Sequence, residues 1–178
     1  MSDTQWPRFM VFQQVVAGEP LVHNGTVHAP DLEMSLLNGR DVFLRRPAAH
    51  ALWVVPVECI LTKTIEELQD GSWLTGVKEA GGPMARYHVF GKLHHQGQLE
   101  QIGMVEAAGP EQALKTAMSE QQGRTVWVWW VFPVSSVLAS DEDDIDSLFR
   151  FAESHDFKNQ AYYPVITMMR QIRARGKR

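Results

Sequence analysis

The segments HALWVVPVECIL, residues 50–61, and TVWVWWVFPVSSVL, residues 125–138, are nearly the same apolar stretch and share a Pro-Val step. At a shift of 77 residues, Trp53 aligns with Trp130 and Pro56 aligns with Pro133. A continuous apolar run rich in Val and Trp is typical of a strand that is buried on both faces. The sequence therefore predicts the same buried strand twice.

The repeat extends upstream of these strands at a shift of 78 residues. The pairs aligned at that shift include Arg8 with Arg86, Val11 with Val89, Phe12 with Phe90, Gly25 with Gly103 and Leu36 with Leu114. The change of register falls ahead of the last strand, where a loop absorbs a difference in length. This pattern indicates a duplicated unit of roughly 55 residues.

Each unit begins with a predicted hairpin, RFMVFQQVV then LVHNGTVHA in the first copy and RYHVFGKLH then LEQIGMVEA in the second. Gly25 and Gly103 lie inside the second strands and suggest a β-bulge there. A helix is predicted next, from Pro30 to Arg46 in the first copy, with Pro30 in its first turn. The second helix is opened by Pro110 and ended by Gly123.

A single strand-strand-helix-strand unit is too small to bury much of a core. We therefore predict an α+β fold in which tandem ββαβ units pack as a pseudo-two-fold dimer. The predicted organisation is unit one at residues 1–66, a linker at 67–85, unit two at 86–139 and a C-terminal extension at 140–178.

The overall composition restricts the classes of function. The chain has 178 residues and a formal net charge of −4, which does not favour nucleic acid or an anionic membrane as a partner. The N-terminus lacks a secretory pattern, and the longest apolar run is too short for a membrane helix. Cys59 is the single cysteine, so no internal disulfide is possible. A cytoplasmic protein is expected.

Motifs for catalysis or metal binding are missing from the sequence. It contains no Glu-x-x-His pair, and His94 and His95 are expected to point to opposite faces of a strand. Three histidines, with His88, are expected to be solvated on the hairpin of unit two. An enzyme with Cys59 or His28 as its reactive group is the weaker alternative, because Cys59 would need an adjacent base and His28 fits a capping or interface role better. We expect no catalytic residue, no metal and no cofactor.

A charged cluster at the end of the first helix is the strongest candidate site. Arg40, Asp41, Arg45 and Arg46 crowd there, and Asp41 and Arg45 have the spacing of an i, i+4 ion pair. Arginine is common in protein interfaces, and unit two has Met118 in place of Arg40. These four residues, with His28 at the helix entrance, are predicted to form a partner interface.

The first copy also resembles a known family, the PaaB subunit of the bacterial phenylacetyl-CoA epoxidase. The resemblance covers about residues 5–65. The residues that carry it are Trp6-Pro7, Val11-Phe12, Gly25, His28-Ala29, Asp31, Met34, Asn38, Arg40-Asp41, Arg45-Arg46 and Trp53-Val54-Val55. Family members usually have one unit, whereas this chain has two.

The resemblance implies a non-catalytic structural subunit of a multicomponent oxygenase of phenylacetate degradation. The partners it implies are a catalytic subunit that holds a di-iron site and a ferritin-like subunit, with the reductase of the complex as a further contact. No nucleic acid and no membrane are implied. The alternative is a stand-alone protein that binds or senses a small molecule such as an acyl-CoA, in a cleft between the units.

Overall fold

The structure is a computed structural model that describes residues 6–44, 49–69, 71–77, 81–141, 143, 148–149 and 165–175. Unit one contains β1 (Arg8–Gln14), β2 (Val22–His28), α1 (Leu32–Phe43), β3 (Ala51–Pro56), a 3-10 turn (Val57–Cys59) and β4 (Leu61–Thr64). Two short helices follow, α2 (Ile65–Leu68) and α3 (Ser72–Gly76). Unit two contains β5 (Ala85–Lys92), β6 (Leu99–Ala107), α4 (Pro110–Glu120), β7 (Val128–Pro133), a 3-10 turn (Val134–Ser136) and β8 (Leu138–Ala139). Helix α5 (Val165–Arg175) lies near the C-terminus.

The repeat read from the sequence is reproduced element by element. The hairpin β1–β2 has an irregular register between Val11 and Phe12, and β5–β6 has one between Val89 and Phe90. Both lie at the predicted bulge, because Val11 pairs with Gly25 and Val89 pairs with Gly103. The fold is α+β, with the eight strands in one antiparallel sheet.

The order of the strands is β4-β7-β5-β6-β2-β1-β3-β8, so each unit lends a strand to the other. Strand β4 of unit one pairs with β7 of unit two, and β8 of unit two pairs with β3 of unit one. The two halves meet at β2 and β6, where Val22 pairs with Glu100 and the Gln101 N–H donates to the Leu21 carbonyl at 2.8 Å. The exchanged strands therefore tie the units together more extensively than the central seam does.

Two of the three core clusters lie beneath the helices. Alternate residues of β1, such as Val11, pack with Leu52 and Val54 of β3 in the cluster of unit one. The equivalent cluster of unit two contains Val89, Leu114 and Val131, among other residues. The apolar third strands therefore each supply one face to the helix-side core, as expected for strands buried on both faces.

The third cluster lies between the units and buries the other face of the third strands, β3 and β7. Phe12 of β1 and Phe90 of β5 occupy equivalent positions, and their ring centroids are 4.5 Å apart. Phe132 of β7 packs on both rings, and Val55 of β3 belongs to the same cluster. Since β2 and β6 separate β1 from β5 in the sheet, this contact requires the sheet to bend back on itself. The inner faces of the two halves thereby share one aromatic core.

Several local predictions need correction. Pro30 lies outside helix α1, because Asp31 is its N-cap and accepts a hydrogen bond from the Met34 N–H at 2.7 Å. The helix ends at Phe43, before Arg46, whereas Pro110 is in the first turn of α4 as predicted. Helix α4 ends at Glu120, so Gly123 lies in the turn that follows.

The hairpin histidines of unit two also differ from expectation. His88 is buried, and the prediction that it is solvated was wrong. His94 and His95 lie in the turn after β5 and not within a strand. The predicted linker, residues 67–85, contains the end of α2, all of α3 and the first residue of β5.

Among the described residues, no helix is long and apolar enough to cross a membrane.

Candidate functional site

The candidate site is the outer face of helix α1. Ser35 and Gly39 on the inner face are buried, and Leu32, Leu36 and Phe43 pack on the same core beside them. A Cβ on Gly39 would lie 3.2 Å from Val11 Cγ1, so the helix sits close to β1. Phe43 lies over Gly25 of β2, where a Cβ would be 2.7 Å from its ring. These contacts fix the orientation of α1 and thus which of its side chains face outward.

The outward side chains of α1 include three large apolar ones. Met34, Leu37 and Val42 are 43%, 37% and 52% exposed. Their spacing places them on one side of the helix together with Asn38 and Asp41. Trp6, which precedes β1, is also exposed. We call this set, Trp6, His28, Met34, Leu37, Asn38, Asp41 and Val42, the α1 face.

Hydrogen bonds join the polar members of the α1 face to the neighbouring chain. His28 is exposed at the end of β2, and its Nδ1–H donates to the Trp6 carbonyl at 3.3 Å. The Asn38 side-chain amide donates to the His28 carbonyl at 3.1 Å. These two bonds link the segment before β1, the end of β2 and the helix, so the α1 face is one continuous surface.

A shallow groove of about 260 Å³ runs between β2 and the helix. It is lined by Thr26, Val27, His28, Asn38, Asp41 and Val42. The groove and the apolar side chains beside it have room for an apolar side chain of another protein. In protein interfaces, a few side chains buried in such pockets carry most of the binding energy.

The predicted charged cluster is placed only in part. Arg40 and Asp41 form an ion pair, with Arg40 Nη2 2.9 Å from Asp41 Oδ1. Asp41 is on the α1 face, and Arg40 flanks it. Arg45, Arg46 and the predicted pair of Asp41 with Arg45 lie outside the described residues. Exposed ion pairs of this kind contribute little to stability, so the pair does not explain the fold.

The corresponding face of helix α4 is polar. The positions of Met34, Leu37 and Val42 are taken by Gln112, Lys115 and Glu120 in unit two. The remaining counterparts are Met84 for Trp6, Glu106 for His28, Thr116 for Asn38 and Ser119 for Asp41. The apolar side chains that helix α1 contributes to the α1 face are therefore peculiar to unit one.

The apolar members of the α1 face were not identified as site residues by the charge pattern, which pointed to Arg40 and its neighbours. A signal was present, because large apolar residues occupy outward positions of a helix whose most deeply buried positions are Ser35 and Gly39. This signal can be seen only when it is known which side of α1 is buried. Aligning α1 with the regular apolar stripe of α4 shows which side that is.

The other candidate residues lie apart from this face. Cys59 is in the 3-10 turn after β3 and packs at the inter-unit core, and burial raises the pKa of its thiol. A raised pKa leaves a thiol protonated and a poor nucleophile at neutral pH. Within the described parts of the chain, no three His, Cys, Asp or Glu side chains are grouped as a metal site would need.

A polar pair, buried His88 and half-buried Gln101, lies at the contact between the units. The Gln101 amide donates to His88 Nδ1 at 3.1 Å, and the ring of His88 packs on Trp53 of unit one at 4.7 Å. Burial, and then the charge of Arg86, lowers the pKa of His88 to about 4. The neutral imidazole is therefore a structural element of the inter-unit contact.

Comparison with known proteins agrees with the resemblance of the first copy. Over 67 residues the chain is 37% identical to a subunit of the 1,2-phenylacetyl-CoA epoxidase of Escherichia coli K12. That stretch covers 38% of this chain and 70% of the relative. No solved structure matches the chain. The family model "Phenylacetic acid degradation B" matches twice, at residues 5–78 and again at residues 84–170. These two matches span most of the chain, which therefore belongs to the PaaB family.

Proposed function

We propose that this protein is a non-catalytic assembly subunit of a phenylacetyl-CoA epoxidase-like di-iron oxygenase complex of phenylacetate catabolism. Its membership of the PaaB family and its likeness to a subunit of the Escherichia coli epoxidase support this role. The catalytic subunit and its ferritin-like partner supply the chemistry, and this chain supplies a rigid surface that holds them. In this proposal it acts in the cytoplasm.

The two units, in this proposal, reproduce within one chain the pair that two single-unit subunits would form. The Escherichia coli relative supports this, because 67 residues are 70% of its length, which makes it about 96 residues long. It thus has room for one unit of this chain. The reciprocal exchange of β4 and β8 and the contact of Phe12 with Phe90 are the features expected of a pseudo-two-fold pair.

The observation that carries the proposal is the exposed apolar surface of the α1 face. Unit two builds the same helix on the same sheet with Gln112, Lys115 and Glu120, so the fold does not require Met34, Leu37 and Val42 to be apolar. Leaving such side chains in water is unfavourable unless they are covered by a partner. A Trp beside aliphatic side chains with a polar border is typical of the centre of a protein interface.

The test is a titration of the protein with the purified catalytic and ferritin-like subunits, followed by size-exclusion chromatography with light scattering. A combined variant, Met34→Gln with Leu37→Lys, carries the residues of unit two at these positions. We expect it to fold normally and to bind about a hundredfold more weakly, as for loss of interface hot spots.

The matched control is Val15→Gln with Val16→Thr. These side chains are 50% and 53% exposed, in the turn at the other end of the β1–β2 hairpin. We expect the control to bind like the unaltered protein. Equal binding by both variants would show that the α1 face is not the contact. No complex with the oxygenase subunits, together with a thermal shift caused by an acyl-CoA, would favour the ligand-binding alternative.

A further inference from the structure

We infer that the chain is monovalent: only unit one can dock the oxygenase subunits, so one chain holds one catalytic and ferritin-like pair and does not bridge two. This inference rests on the proposed function. A pair of identical single-unit subunits would present two equal helix faces by symmetry. In this chain the two faces are at equivalent places but have different chemistry.

The two helices have equivalent positions on their sheets, so their outer faces can be compared directly. The inward residues correspond, with Ser35 at the place of Ala113 and Gly39 at the place of Ala117, and all four are buried. The bulges of the two hairpins also have the same register. The differences between the outer faces therefore reflect the side chains and not a rotation of the helix.

The helix of unit two would place two charges where the α1 face is apolar. Lys115 and Glu120 are exposed and stand at the positions of Leu37 and Val42. A partner shaped for Leu37 and Val42 would have to remove water from both charges, and desolvation of an unpaired charge opposes binding strongly. This desolvation cost is what makes a partner prefer the α1 face over the face of unit two.

Gln112, the counterpart of Met34, already forms a hydrogen bond within unit two. The Gln112 side-chain oxygen accepts a hydrogen bond from the Ala108 N–H at 3.3 Å, ahead of the helix. In unit one the capping role belongs to Asp31, which leaves the Met34 side chain to face outward. Contact of a partner with Gln112 would have to compete with this bond.

The strand side of unit two keeps some apolar surface. Met84 and Met104 are exposed at the places of Trp6 and Thr26. They lie beside Glu106, which replaces His28 and adds a third charge to the region. An apolar strip bordered by Lys115, Glu120 and Glu106 lacks the apolar helix side chains of the α1 face, Met34, Leu37 and Val42. We therefore expect binding at unit two to be weaker by about a hundredfold or more.

Native mass spectrometry of the full chain, titrated with the catalytic and ferritin-like pair, measures the valency. We expect a single pair per chain at saturation. Two pairs per chain would overturn the monovalent inference and leave the proposed function standing. No complex at any concentration would overturn both, so the two failures can be told apart.

Exchanging the faces makes the test specific. The variant with Glu106→His, Gln112→Met, Lys115→Leu and Glu120→Val gives unit two the residues of unit one at four of the seven positions of the α1 face. We expect it to bind a second pair. The variant Met34→Gln with Leu37→Lys should need about a hundredfold higher concentration of the pair to reach the same occupancy. Thermal melts of both variants check that they fold. A folded first variant that still binds one pair, or a folded second variant that binds as tightly as the unaltered protein, would contradict the inference.

Discussion

The two units of this protein have different side chains on the exposed faces of their helices and similar residues in the cores beneath them. Beneath the helices, Ser35 and Gly39 of unit one correspond to Ala113 and Ala117 of unit two, and the third strands pack alike. On the outer faces, apolar side chains of α1 stand where α4 has polar or charged ones. Unit two therefore serves as an internal control for α1, because it shows which outward side chains of the helix the fold does not require.

The largest expected effect tests the agreement of the interiors. Phe12→Ala and Phe90→Ala remove equivalent, fully buried rings from the core between the units. Each should lower the free energy of unfolding by about 3–5 kcal/mol, because a buried Phe is replaced by a cavity. Denaturant melts followed by circular dichroism measure this. If one substitution cost less than about half as much as the other, the two positions would not be equivalent in packing.

A smaller effect arises where the two interiors differ. His88 has Met10 as its counterpart in unit one, and burial lowers its pKa to about 4, below the ordinary 6.5. Between pH 6.5 and pH 4 the unfolded chain binds a proton at this residue more readily than the folded protein does. Stability should therefore fall over this window, by roughly 1–3 kcal/mol for His88.

The variant His88→Met tests that assignment by importing the residue of unit one. It leaves Gln101 without its imidazole acceptor, so its stability at pH 7.5 will be somewhat lower than that of the unaltered protein. Its melting temperature should nonetheless depend less on pH between 6.5 and 4. The pKa of His23 is also lowered by burial, so a residual slope is expected. An unchanged slope would remove His88 from the explanation.

Much of this fold could be predicted from the sequence, because the sequence contains two copies of the same unit. Agreement at Val11 and Val89 or at Gly25 and Gly103 reports core positions and bulges that a single copy would leave ambiguous. The order of strands and helices within each unit follows from these local signals.

Other features depend on distant contacts that local patterns do not encode. Strands β4 and β8 are four and two residues long, and nothing in them indicates which unit they will pair with. His88 alternates with apolar neighbours as an outward residue would, and it is buried because Trp53 of the other unit covers it. Helix α1 starts after Pro30 because the Asp31 side chain caps it, and the proline pattern alone does not distinguish a first-turn position from one before the cap.

Helix capping offers a finer contrast between the units. Asp31 caps α1 through the Met34 N–H, whereas its counterpart Gly109 has no side chain and Gln112 bonds to Ala108 instead. Asp31→Ala should cost about 1 kcal/mol, as is usual for loss of an N-cap. Gln112→Ala should lower the free energy of unfolding by less, because the hydrogen bond of Gln112 with the Ala108 N–H is 3.3 Å long, against 2.7 Å for that of Asp31. Urea melts of the two variants compare the values, and a larger cost for Gln112→Ala would reverse the ranking of the two caps.

The smallest effect on stability is expected at the ion pair that the sequence singled out. Arg40→Met imports the residue of unit two, Met118, and removes the contact with Asp41. The free energy of unfolding should change by less than about 1 kcal/mol, because an exposed ion pair is screened by water and its side chains lose freedom to form it. A double-mutant cycle with Asp41→Ser, the residue of unit two at that position, isolates the pair. A coupling well above that value would mean that the pair stabilises α1 itself. A small coupling would leave Arg40 and Asp41 as surface charges that the fold does not need, as it does not need the apolar side chains beside them.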